Sequence, residues 1–193
     1  MRIYPLSEGS FSIDETKVFK PFDSSSPEYP NRPKGSILVE VQPFLLITDN
    51  DIILLDTGLG YLNKLSVLQI HENLMALGID PSKVTKVFLS HLHKDHAGGI
   101  SYLHPLYQEQ FISFPYAKYY VQKREFEEVM QNSNNATLKA QIGILEDFSG
   151  TVWLTEDKGV IDNLIYYDEY GKDQNFHTVP ILFFSPNEKY KGV

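Results

Sequence analysis

Three observations predict an α/β (α+β) fold for this chain. Two dense apolar runs, residues 36–48 and 52–56, read as strands. Leucines at helical spacing follow them, and a third short apolar run, residues 84–89, comes next. Strand-like runs alternating with helical ones indicate a sheet with helices packed on it, not an all-β or all-α domain. The runs show little alternation of apolar and polar residues, as expected of strands covered on both faces.

Each element has a local reason. Ile3, Tyr4 and Leu6 predict an edge strand, and residues 11–22 predict a second strand. The Ser- and Pro-rich stretch 24–35 predicts a surface loop. Asp49, Asn50 and Asp51 tolerate tight turns and predict a hairpin between the two dense runs. Leu62, Leu65, Leu68, Leu74 and Leu77 predict a helix over 61–77, stopped by Gly78. Further strands are expected at 117–121, 152–154, 160–167 and 179–184, with helices at 123–131 and 136–148.

Composition narrows the function classes. With 42% hydrophobic and 13% aromatic residues in 193, the chain is expected to fold as one domain over residues 1–193. Lys and Arg number 17 against 25 Asp and Glu, a net charge of −8 that disfavours a nucleic-acid partner. The first ten residues lack an apolar run, and no stretch approaches the roughly 20 apolar residues of a membrane span. A soluble, cytoplasmic protein is expected. Cysteine is absent, so any metal must be held by His, Asp or Glu.

Such residues are concentrated in one place. His91, His93, Asp95 and His96 lie within six residues, directly after the predicted buried strand. In extended backbone, side chains two apart point the same way, so His91 and His93 are expected to converge on one cation. A turn after Lys94 would bring Asp95 and His96 to a neighbouring position. Imidazole suits zinc and iron, and a carboxylate adds charge compensation. Gly98 and Gly99 let the backbone fold tightly behind the cluster. Elsewhere the reading is plainer: His71 is expected at the surface, and His104 is expected to hydrogen-bond locally. Glu125, Glu127 and Glu128 read as a solvated helix face. The aromatic residues between 102 and 120 read either as core or as the lining of a pocket beside the cluster.

The sequence resembles the metallo-β-lactamase superfamily, whose signature is His-x-His-x-Asp-His after a strand. His91, His93, Asp95 and His96 match it in full, and Leu54-Leu55-Asp56-Thr57-Gly58 matches the family's earlier strand-ending acid. Residues 36–130 fit in order and spacing, and within the family the lactonase and general metal-dependent hydrolase branch is the most similar. The resemblance implies an αββα sandwich with its second half incomplete, and a metal site at one sheet edge. It implies zinc, one or two ions per chain, with iron or manganese as alternatives. His91 and His93 would bind the first ion, Asp95 and His96 the second, with Asp56 orienting the ligands and Asp95 passing a proton to the leaving group. The implied reaction is attack of an activated water on an ester, lactone, thioester or amide. An impaired fold relative with an incomplete metal shell, a mononuclear iron oxygenase and, ranked lower, a phosphodiesterase are the alternatives.

The family's further His aligns with Asp173, which can also ligate zinc; His177 is the alternative donor, and no third protein ligand is the remaining reading. The family's bridging Asp aligns just beyond Val193, and Asp157 and Asp168 read as ordinary turn or strand-edge acids. A shortened sandwich exposes a sheet face, which a second copy of the chain in a homo-oligomer would cover. If residue 173 is a ligand, Asp173→His is expected to raise metal occupancy in protein purified without added metal. Elemental analysis reads the result, and an unchanged value removes residue 173 from the ligand set.

Overall fold

Apolar runs that bury both faces of a strand need a layer on each side, and the structure supplies both. It is a computed structural model and describes residues 1–23, 25, 32–63, 65–161, 164–167 and 181–184. Along the chain the strands are β1 (Arg2–Pro5), β2 (Gly9–Ile13), β3 (Phe19–Pro21), β4 (Ile37–Val41), β5 (Phe44–Ile47), β6 (Ile52–Leu55), β7 (Lys86–Phe88), β8 (Ser101–Leu103), β9 (Gln110–Ile112), β10 (Lys118–Gln122), β11 (Thr151–Leu154), β12 (Lys158–Ile161), β13 (Leu164–Tyr167) and β14 (Ile181–Phe184). The helices are α1 (Gln69–Ala76), α2 (Lys94–Ala97), α3 (Lys123–Asn132) and α4 (Ala136–Gly143).

The central sheet has the order β1-β5-β6-β7-β10-β11. Strands β6, β7, β10 and β11 run parallel, while β1 and β5 extend the sheet in antiparallel fashion. Leu45, Leu54, Val87, Tyr119 and Val121 point to one face and pack with Ile70 and Leu74 of α1, Phe126 of α3, and Leu138 and Ile142 of α4. Their neighbours Leu46, Ile53, Phe88, Tyr120 and Leu154 point to the other face, where Leu164 and Tyr166 of β13 cover them. Strands β12, β13 and β14 form that covering antiparallel sheet. The mixed α/β architecture expected from the sequence is therefore present, as a helix layer, a six-stranded sheet and a second sheet.

The turn at Asp49–Asp51 is a hairpin, with Ile47 opposite Ile52. Several elements differ from expectation, among them the helix expected over 136–148, which ends at Gly143. Residues 36–48 are not one strand: Pro43 lacks an N–H, and the chain changes sheets there, β4 joining β2 and β5 joining β1 and β6. Residues 11–22 fold back on themselves as β2 and β3, because the Asp14 side chain accepts the Thr16 N–H and Lys17 takes a positive φ. Residues 160–167 likewise divide into β12 and β13. The helix expected over 61–77 begins only at Gln69. Asn63 is the cause: its Oδ1 accepts the Leu65 and Val67 N–H groups, a local bond that competes with helix formation.

No helix among the described residues is long and apolar enough to cross a membrane. Leu54 is fully buried at the centre of the main core, whereas Leu65 is 80% exposed. Leu54→Ala is expected to lower stability by about 2–5 kcal/mol in urea unfolding. Leu65→Ala is expected to stay within about 0.5 kcal/mol of the wild type.

Candidate metal centre

Parallel pairing places the carboxyl ends of β6, β7 and β10 along one edge, with Leu55, Phe88 and Tyr120 at one level. Loops leaving that edge are where open α/β sheets put their sites. Asp56 follows Leu55, Ser90 and His91 follow Phe88 and Leu89, and α3 follows β10. The register alone therefore brings Asp56 beside Ser90, 34 positions later in the chain.

Asp56 is the hub of the cluster. It adopts a left-handed backbone, φ +63°, a region that Asp tolerates better than most residues. Its Oδ1 accepts the Ser90 N–H at 2.7 Å, and its Oδ2 accepts both the Ser90 hydroxyl and His96 Nδ1, each at 2.7 Å. Ser90 Oγ also lies 3.1 Å from His91 Nδ1. Since the Ser90 proton goes to Asp56, His91 Nδ1–H must donate to Ser90 Oγ. Both imidazoles are thereby held in the tautomer that carries the lone pair on Nε2. Burial pushes the His96 pKa down, but the Asp56 hydrogen bond and the charges of Asp56, Asp95 and Glu125 outweigh it and leave it raised.

The four sequence-predicted side chains lie together. The His91 ring centroid is 4.6 Å from that of His93 and 3.9 Å from that of His96. Asp95 Oδ2 lies 3.5 Å from His96 Nε2. His91 is buried, His93 is exposed, and Asp95 and His96 are part-exposed, so the cluster opens to solvent on one side. The expected convergence of His91 and His93 on one point is not seen. Their rings meet edge to face, at 72°, and among the described residues no three His, Asp or Glu are arranged to hold a metal ion. The donor types nonetheless fit a divalent cation: three imidazoles and a carboxylate, two of the rings held by the Asp56–Ser90 pair. Asp173 and His177, the proposed further ligands, and Asp168 lie outside the described residues.

The backbone behind the cluster is packed as tightly as its glycines suggested. Thr57 N–H and hydroxyl both bond the His96 carbonyl, and Gly99 N–H bonds the Gly58 carbonyl. A Cβ on Gly99 would collide with the Thr57 carbonyl, so close approach explains that glycine. Gln141 of α4 donates to the Gly98 carbonyl at 2.7 Å.

Three contributors carried no local signal in the sequence. Ser90 stands beside the histidines with no pattern that marks it, yet both its N–H and its hydroxyl bond Asp56. Glu125 is not part of a solvated face: its Oε1 accepts the Leu92 N–H at 2.7 Å. Glu8, 51 positions before Leu59, accepts that residue's N–H at 2.5 Å from beneath the Asp56–Gly60 turn. A Cβ at Gly58, which has φ +72°, would strike the Glu8 carboxylate. His71 is also not a surface residue, since its Nε2 bonds the Ser113 carbonyl at 2.9 Å and its ring packs on Phe114. Burial lowers its pKa. His104 does bond locally, to the Leu106 and Tyr107 N–H groups. Among the aromatics, Phe114 and Tyr119 are core. Tyr116 and Tyr120 line a cleft of about 800 Å³ at the amino end of β7, away from the cluster.

Burial pushes the Glu8 carboxyl up to about 7 from its usual 4.5, against its bonds to Leu59 and Tyr61. A carboxyl whose folded pKa is raised stabilises most while protonated in both states, and that stability is lost as pH rises through 7. The loss is on the order of 3 kcal/mol between pH 4.5 and 8. Glu8→Gln keeps the acceptor for Leu59 and removes the charge, so it is expected to raise the melting temperature at pH 8 and to change it little at pH 5.

Comparison with known proteins adds to this geometry. Residues 38–162 match the family profile described as the Metallo-beta-lactamase superfamily. A 119-residue stretch is 27% identical to the N-acyl homoserine lactonase AiiB of Agrobacterium fabrum, covering 52% of this chain and 43% of that protein. The lactonase of the same name from Rhizobium rhizogenes matches to the same extent. The chain thus matches less than half of these relatives' length. Among solved structures, AidC, a dizinc quorum-quenching lactonase in complex with a product, superposes with a TM-score of 0.62 at 20% identity. That superposition covers 96% of this chain and 68% of AidC. An N-acyl homoserine lactone hydrolase with product at its catalytic metal centre gives 0.61 at 21% identity, over 94% of this chain and 69% of the other. At these identities the likeness of the structures is one of fold.

Proposed function

The chain belongs to the metallo-beta-lactamase superfamily, and on that premise we propose that it is a metal-dependent hydrolase acting on a small lactone or related ester. The observation that carries this reading is the Asp56 carboxylate, which ties Ser90 and His96 together and sets the cluster at the open edge of the sheet. The N-acyl homoserine lactonases among its relatives suggest a lactone ring as the reacting group.

In this reading His91 and His93 would hold a first zinc ion and Asp95 and His96 a second, with Asp173 or His177 as a further ligand. Bound zinc supplies Lewis acidity toward the carbonyl and a water acidic enough to attack near neutral pH. The protein's part is to hold and orient. Asp56 keeps the His96 proton on Nδ1, so that Nε2 faces the cluster as a donor. Ser90 does the same for His91 while bonded to Asp56. Asp95, part-exposed and beside His96 Nε2, would take the proton given up by the attacking water and pass it to the alkoxide when the ring C–O bond breaks. Solvent-exposed His93 marks the side from which a small substrate enters.

Elemental analysis of protein supplied with zinc is expected to find about two ions per chain. Turnover of an N-acyl homoserine lactone is expected to stop with a chelator and return with zinc. Asp56→Ala is expected to weaken zinc binding about 10–100-fold. Absence of bound metal at excess zinc, or lactone turnover indifferent to chelation, overturns the reading.

A further inference from the structure

We infer that Glu125 is a positioning residue for the metal loop, acting through the backbone of Leu92 to set the spacing of His91 and His93. Strands β7 and β10 are parallel neighbours, and the Leu89 N–H extends their pairing by bonding the Tyr120 carbonyl. The loop leaving β7 and the first turn of α3 leaving β10 therefore emerge side by side. Glu125 stands in that first turn, and side chains there lean back toward the helix start, toward the loop. Its Oε1 accepts the Leu92 N–H at 2.7 Å.

Leu92 is the residue between the two histidines, and it is fixed from two sides. Its side chain, 1% exposed, is anchored in the main core, and its N–H is anchored on Glu125. With that one peptide unit held, the residues on either side of it, His91 and His93, keep their ring centroids 4.6 Å apart. Glu127 and Lys123, on the same helix, form only an exposed pair at 3.8 Å and serve as the comparison.

This inference rests on the metal-dependent reading above, and its test separates the two. Zinc affinity is measured by competition with a chromophoric chelator for wild type, Glu125→Ala, Glu125→Gln and Glu127→Gln. The Leu92 amide exchange rate is measured by NMR without metal. Glu125→Ala is expected to lower zinc affinity at least about tenfold and to speed Leu92 exchange, with the β7 amides unchanged. Glu125→Gln retains an oxygen for the Leu92 N–H and is expected to recover most of both, and it covers the case in which the alanine variant fails to fold. Glu127→Gln is expected to match wild type. Unchanged Leu92 exchange in Glu125→Ala overturns the anchor whether or not zinc binds. Unchanged zinc affinity, or no recovery with Gln, overturns the positioning role while leaving the hydrolase reading in place. Wild type that binds no zinc overturns both.

Discussion

One carboxylate organises this end of the molecule. Asp56 receives three hydrogen bonds at 2.7 Å from two residues 34 and 40 positions away, and it does so from a left-handed backbone. A residue in that conformation persists only where its surroundings hold it. Here the hold comes from the Asp56 N–H on the Phe88 carbonyl and from Thr57 on the His96 carbonyl. Loss of the carboxylate would free the tautomers of two imidazoles and the entry of the loop at once.

The rest of the scaffold can be understood as support for that hub. The core on the helix side fixes α1, α3 and α4 against the sheet, and α3 and α4 each reach the histidine loop. Glu125 of α3 takes the Leu92 N–H, and Gln141 of α4 takes the Gly98 carbonyl. From the other side Glu8 supports the Asp56–Gly60 turn with a buried carboxyl of raised pKa. A charge-bearing group in so dry a place costs stability, and it sits against a turn in which Asp56, Gly58 and Gly60 all take positive φ.

The family match and the structural likeness bear on different questions. The profile match over residues 38–162 establishes membership. The likeness to dizinc and lactone-hydrolysing structures, at 20–21% identity, is a likeness of fold. Function has to be argued from the site. There the donors are gathered on one loop, held by Asp56 and Ser90, yet His91 and His93 meet edge to face.

Much of this was written in local sequence. Buried strands announce themselves by apolar runs, and the α/β class follows from their alternation with helical spacing. The cluster His91, His93, Asp95 and His96 is legible because all four residues lie within one turn of chain, as is the glycine pair behind it. What only the tertiary structure decided are the long-range contacts. That Asp56 bonds His96, that Glu125 is an acceptor and not a surface charge, and that Glu8 is buried depend on strands brought together across 33 to 51 positions. Helix α1 and the split of residues 36–48 were also beyond composition, because one side chain, Asn63, and a single proline overrode the apolar pattern. A sequence lists which donors exist, whereas the register of parallel strands selects the partner each one meets.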